Sequence, residues 1–390
     1  MQNWKNYFLP CNINDDDYSY LNRRQELFFN IDKYTAKNDE VFSNINKYDL
    51  ALIGIPEDRN SNNKGSAKAP SIVRDSFYKL YKPVSELKIA DLGDLQQGKT
   101  VRDTYFAVKD IITELLEMNV IPLIIGGTQD LTYPIYLAYE QFVENLNIVT
   151  IDSRFDLGNT VEDFDSQSFL NKIILNEENC LFNLTNIGYQ SYYVSLEEIE
   201  LINELYFDAI RVGIARSEIS ENEPYLRDAD FVSLDISSVK KADAPGHAHP
   251  SVNGFYGEEI CKLAKYAGLS DRLSAFGIFE INPDYDNNRQ TTELAAQILW
   301  YFIQGFSMRK KEYPLADIQI FKKYMVSIEG PEHRIIFYRS PKTHRMWMEI
   351  PYLDKRKEKT IIVSCSYDDY QKAVKNEIPN RWWKYYQKLN

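Results

Sequence analysis

The chain has 390 residues with 45 Lys+Arg against 57 Asp+Glu, a formal net charge of −12, and 44% hydrophobic residues, enough for a sizeable core and more than one compact domain usually holds. No stretch is long and apolar enough to span a bilayer, and residues 1–17 lack an apolar run and turn acidic at Asp15, Asp16 and Asp17, which argues against membrane insertion and against a secretory signal. The acidic balance repels phosphate and disfavours nucleic acid, while four distant cysteines (Cys11, Cys180, Cys261, Cys365) with no CxxC spacing read as reduced thiols of a cytoplasmic protein.

Residues 1–48 are polar, Asn-rich and dotted with aromatics, and read as a helical or irregular N-terminal arm. A strand-and-helix alternation then begins. ALIGI (51–55), VIPLIIGG (120–127), NIVTID (147–152), LTNIGY (184–189), AIRVGI (209–214), DFVSLDI (230–236) and AFGIFEIN (275–282) are short, apolar and β-branched, as strands buried on both faces are. Between them lie helical periods. In residues 101–118, Val101, Tyr105, Val108, Ile112 and Leu115 share one face, and residues 257–268 and 291–305 behave alike. A polar loop, GIPEDRNSNNKGSAKAP (54–70), precedes a helix from about Ser71 to Tyr81 and the segment IADLGD (89–94). This alternation predicts a parallel sheet with helices on both sides.

Parallel sheets place chemistry at the carboxyl ends of their strands. Four predicted strands end in polar, mostly acidic residues: Thr128-Gln129-Asp130, Asp152-Ser153-Arg154-Phe155-Asp156, Asp235-Ile236-Ser237, and Glu280. One such acid is an ordinary turn or cap residue; four converging ones point to a site.

These strand ends resemble the ureohydrolase family, which includes arginase, agmatinase and formiminoglutamase. GGTQDLT (126–132) stands where the family has GGDHS, and DSRFD (152–156) where it has DAHxD. SLDISSVKKADAPG (233–246) aligns without a gap on SxDxDxxDPxxAPG, and FEINPDYD (279–286) is similar to ExNPxxD. The likeness spans residues 49–308. It implies a three-layer α/β/α sandwich with a mainly parallel sheet of about eight strands. It also implies a family chemistry of C–N hydrolysis of linear amidines by two manganese ions, held by four Asp and two His.

Of the six implied ligands, three are kept: Asp152, Asp156 and Asp235. The first His position holds Gln129, the second holds Arg154, and the fourth Asp position holds Ser237; the next family Asp falls on Lys240. Gln and Ser are weak neutral donors, and Arg neither deprotonates nor ligates. The only histidines are His247, His249, His333 and His344, so no register shift supplies the missing imidazoles, and residues 161–170 lack the family's proton-shuttling His. Two divalent cations side by side need carboxylate charge to offset their repulsion, and the remaining set is short of it. The expectation is therefore a catalytically silent pseudoenzyme with no catalytic residue and no cofactor. Its degenerate pocket comprises Gln129, Asp152, Arg154, Asp156, Asp235, Ser237 and Glu280, and any metal would sit on Asp152, Asp156 and Asp235. It would act as a binding, scaffold or regulatory subunit. Within this reading Arg154 fills the former metal space and pairs with the acids. The alternatives are an active hydrolase of a guanidino or formimino compound with an altered metal site, and a sensor of a small cationic ligand. His247 and His249, in PGHAHP (245–250), stand where the family loop borders the site; an HxH metal site is weighed against plain loop histidines.

Residues 309–390 form a small α+β appendage beyond the family frame. They hold 18 Lys/Arg against 10 Asp/Glu, a net of +8, against −20 for residues 1–308. A basic tail on an acidic body suggests that the two pack together or that the tail meets an acidic partner. Residues 333–340, 344–353 and 360–366 read as strands and 368–376 as a short helix. The end, IPNRWWKYYQKLN (378–390), either packs Trp382 and Trp383 onto the body or offers them to a partner, through which a homo-oligomer or a protein complex would form.

Overall fold

The computed structural model describes residues 4–13, 18–21, 25–83, 86–158, 164–176, 179–312, 318–328, 334–354 and 357–390. Two short strands, β1 (Phe8–Leu9) and β2 (Asp32–Lys33), are followed by eight that build the centre. These are β3 (Leu50–Ile55), β4 (Ile89–Leu95), β5 (Ile121–Gly126), β6 (Leu146–Ile151), β7 (Leu181–Tyr189), β8 (Asp208–Arg211), β9 (Phe231–Asp235) and β10 (Ala275–Phe279). They run in the order β4-β3-β5-β10-β9-β6-β7-β8, all parallel, and β1 (antiparallel) and β2 (parallel) extend the β4 edge. The strands β3, β5, β6, β9 and β10 are buried at every position, which is why their sequences run apolar without alternation.

Helices cover both faces. One face packs Ala69–Tyr78, Gly257–Gly268 and Gln290–Ser307 around Phe77, Leu263, Phe276 and Phe302. The other packs Val101–Glu117, Thr132–Tyr139 and Phe169–Ile174 around Ile112, Leu115, Tyr136 and Phe169. The result is the expected three-layer sandwich. The helix Val101–Glu117 starts where Thr100 and Asp103 form a capping box. Its buried stripe includes Thr104, Ala107 and Ile111, so Val101 and Tyr105 lie at the margin of the apolar face.

AIRVGI departs from expectation. The strand stops at Arg211, opposite Tyr189, where β7 ends and no ladder partner remains, and the chain continues as the helix Val212–Ser217.

The C-terminal segment holds a second, antiparallel sheet of β11 (Lys322–Ser327), β12 (Arg334–Arg339), β13 (Met346–Asp354) and β14 (Lys357–Cys365), then helices Tyr367–Val374 and Asn380–Leu389. The first of these strands has no counterpart in the sequence reading. It is an edge strand of alternating exposed and half-buried residues, and its apolar signal is correspondingly thin. The sheet has its own core, including Phe337, Met348, Val363 and Tyr385.

Basic tail and acidic body do pack together. Arg381 Nη2 donates to Asp228 Oδ2 at 2.7 Å, and Asp228 also accepts from Ser364 N and Oγ at 2.9 and 2.5 Å. Arg227 donates to the carbonyls of Met346 and Cys365 and lies over the Trp347 ring. Trp382 bonds the Glu349 carbonyl at 2.9 Å, whereas Trp383 stays 48% exposed. Among the described residues, no helix is long and apolar enough to cross a membrane.

Candidate functional site

The strand order explains the site. β5, β10, β9 and β6 are consecutive neighbours at the middle of the sheet, so the ends that carry Gln129, Glu280, Asp235 and Asp152 lie side by side although 151 positions separate the first two along the chain. Gly127 lets the loop after β3 close over β5: a Cβ there would stand 1.8 Å from the Glu57 carbonyl oxygen. The Glu280 N–H then bonds the Gly127 carbonyl at 2.7 Å, tying the ends of β5 and β10.

The carboxylates of Asp152, Asp156 and Asp235 converge, with one oxygen of each within 4.8 Å of the others, and all three are buried. Burial holds each carboxyl above its ordinary range. Asp152 is raised further by Asp156, to which it is hydrogen-bonded, and Asp235 by Asp152 and Glu280. Asp156 is pushed up to about 8, by burial and then by the charges of Asp235 and Glu280. Asp156 and Glu280 adopt φ of +52° and +63°, in the left-handed region that non-glycine residues enter at a cost. Asp235 Oδ1 accepts from Ser237 N and Asp152 Oδ1 from Arg154 N, so tight local turns fix both carboxylates.

Glu280 is held by three neighbours. Oε1 accepts the Gln129 N–H at 2.8 Å, Oε2 accepts Asn63 Nδ2 at 2.8 Å, and His247 Nε2 stands 3.7 Å from Oε2. Burial lowers the His247 pKa, but Glu280 and Asp235 outweigh it and raise the imidazole above its ordinary value. His247 therefore belongs to the pocket; its Nδ1 accepts from the His249 N–H, which aims Nε2 inward. Asn63 also bonds Asn282 and the Ala248 N–H, joining the 54–70 loop, the end of β10 and the PGHAHP loop. Asn63 was invisible in the sequence reading because it is one Asn among several in a polar loop.

The positions read as lost ligands are each engaged elsewhere. Gln129 is fully buried, and its Nε2 donates to Ser233 Oγ at 2.8 Å while Oε1 has no partner among the described residues. Ser237 Oγ lies 3.2 Å from Ser153 Oγ. Arg154 corrects an expectation. Its guanidinium makes no ion pair with any of the three aspartates; it stacks on the Tyr193 ring at 4.2 Å and reaches the Tyr193 carbonyl at 3.4 Å. The guanidinium takes a half-exposed ring face and a backbone carbonyl as its partners, and the sequence offers no sign of Tyr193 as its alternative. The pocket encloses about 90 Å³ and is lined by Asp156, Asp235, Glu280, His247, Arg154 and Tyr193 among others. Residues 159–163, and with them part of the stretch read as lacking a proton-shuttling His, lie outside the described residues, as does His333.

Residues 48–304 match the family model of the arginase family. The chain belongs to the arginase family. Among arginase-family relatives, the formimidoylglutamase of Staphylococcus haemolyticus is 28% identical over 267 residues, 65% of this chain and 85% of the relative. That of Staphylococcus aureus (strain JH9) is 24% identical over 280 residues, 65% and 86%. Among solved structures, formimidoylglutamase from Bacillus subtilis superposes with a TM-score of 0.66 at 20% identity, covering 77% of this chain and 98% of that one. Trypanosoma cruzi formiminoglutamase with Mn2+ superposes with 0.64 at 18%, covering 73% and 99%. At these identities the superpositions establish the arginase fold.

Proposed function

We propose that this arginase-family chain is hydrolytically silent and works by binding, with an acidic pocket that accepts one cation. The observation that carries this reading is the donor set. Three buried carboxylates within 4.8 Å fit one hard cation, because burial and the charge of at least one neighbouring carboxylate destabilise the ionised form of each. Gln129, Arg154 and Ser237 offer no comparable donors for a second, since each turns to a neutral neighbour. Asp152, Asp156 and Asp235 would hold the ion. A bound divalent cation would offset their charge and lower the pKa of a water on it. Around it Asn63 and the Gln129 N–H orient Glu280, and His247 stands ready to hold a proton at Nε2.

The test is metal content and turnover together. Purified protein loaded with excess Mn2+ and exchanged into metal-free buffer should retain one ion per chain, and should release neither formamide from formiminoglutamate nor urea from arginine or agmatine. Two ions per chain with enzyme-like release would overturn the proposal. A second reading keeps a hydrolase of a formimino or guanidino compound with an altered site. His247 beside Glu280 favours it, as do relatives named formimidoylglutamase. Release of formamide that disappears in Asp235→Ala would establish it.

A further inference from the structure

A second cavity, of about 680 Å³, opens between the helices Val101–Glu117, Thr132–Tyr139 and Phe169–Ile174. Its walls are apolar: Phe106, Tyr133, Leu137 and Phe164 face it, and Phe106 is 68% exposed. Tyr133 and Phe164 meet edge to face at 5.2 Å, giving a firm aromatic floor. Among the described residues, the charged side chains at this cavity are all cationic. Arg102, Lys109 and Lys172 line it, and among the described residues no Asp or Glu does. Lys109 shares a 3.6 Å ion pair with Glu140, while Arg102 and Lys172 form none with a described residue. On a body of net charge −20 over residues 1–308, two cations without an ion pair to any described residue thus stand at an apolar hollow. Concavity, apolar walls and a few like-charged groups are the attributes of a small-ligand site.

We infer that this cavity binds a small organic anion with an apolar body, such as a medium-chain or aryl carboxylate. The chain would lie on Phe106, Leu137, Tyr133 and Phe164, and the carboxylate would take the charge-assisted hydrogen bonds of Arg102 and Lys172. The cavity is separate from the acidic pocket but shares a wall with it. Asn60 and Tyr105 line the cavity; Asn60 Nδ2 donates to the Tyr105 hydroxyl at 3.1 Å, and the Asn60 carbonyl accepts from the N–H of Ser166, which lines the acidic pocket. Tyr105 in turn donates to Asp130, the residue after Gln129.

The test uses the full chain and three probes in calorimetric titration: octanoate, octylammonium and acetate. Octanoate should bind, octylammonium at least tenfold more weakly, and acetate not measurably. The double variant Arg102→Glu/Lys172→Glu, at partly exposed surface positions, should weaken octanoate at least tenfold with an unchanged melting temperature. Asp235→Asn, which disables the acidic pocket, should leave octanoate binding unchanged, so this inference and the proposed function fail separately. Equal binding of octanoate and octylammonium, no octanoate binding, an unaffected double variant, or octanoate binding lost in Asp235→Asn would each overturn it. So would dissociation of a dimer by Phe106→Asp, which would assign the hollow to a second copy of the chain.

Discussion

Replacing Asp235 by Asn should make the metal-free protein more stable while removing its response to Mn2+. The three carboxylate oxygens lie within 4.8 Å of one another. Two unit charges at that distance and an effective dielectric constant of about 20 repel by about 3.5 kcal/mol. Protonation relieves part of this. The cluster's pKa values are raised in the folded state, so the folded protein holds protons that the unfolded chain releases above about pH 4. Stability from the cluster is therefore fully present at low pH and lost as pH rises, up to about 8 for Asp156. Asn at 235 keeps the acceptor for the Ser237 N–H and removes one charge. We expect a gain of roughly 3 kcal/mol in unfolding free energy at pH 8, shrinking as the pH falls to almost none at about pH 3, in urea titrations with EDTA. With millimolar Mn2+ the wild type should gain stability at pH 8 and the variant should not. If Asp235→Asn is less stable than wild type in EDTA at pH 8, the three carboxylates are not a strained cation site and the proposed function loses its basis.

Other predictions follow from neighbouring features. Asp130 is fully buried with Oδ1 unpartnered among the described residues, and burial pushes its pKa up to about 7. Asp130→Asn should thus be nearly neutral at about pH 3, roughly 1.5 kcal/mol more stable than wild type at pH 5, and up to about 4 kcal/mol more stable at pH 8 in the same urea assay. Arg154→Ala should tighten Mn2+ binding several-fold by titration calorimetry, because the guanidinium lies close enough to lower the pKa of Asp152 and Asp156 yet bonds neither; weaker binding would show that Arg154 organises the pocket. Asp228→Ala strands the buried Arg381 and the Ser364 donors and should cost about 3–5 kcal/mol. Tryptophan fluorescence reads this undocking, since three of the five tryptophans (Trp347, Trp382 and Trp383) lie beyond residue 308. Trp382→Ala, which loses the bond to Glu349, should cost about 2–4 kcal/mol, and Trp383→Ala, half exposed, under about 1 kcal/mol.

The sequence by itself determined the sheet and the acids at its strand ends. Runs such as LALIGI and IPLIIG are apolar on both faces only when a strand is covered on both sides, and the residue after such a run has to emerge at the sheet edge. That is why Asp152, Asp235 and Glu280 were legible from pattern and spacing. The motif comparison likewise exposed Gln129, Arg154 and Ser237 as departures, because ligand types are matters of residue identity. Only the tertiary structure decided where those side chains turn. Arg154 could satisfy its charge on the aspartates or its flat face on Tyr193, and the choice depends on a ring 39 positions away whose placement no local signal announces. The same holds for Asn63 on Glu280, 217 positions apart, and for Arg381 on Asp228, 153 apart. Strand burial is written in local periodicity, whereas a polar side chain's partner is settled by which loops the fold brings within about 3 Å of it.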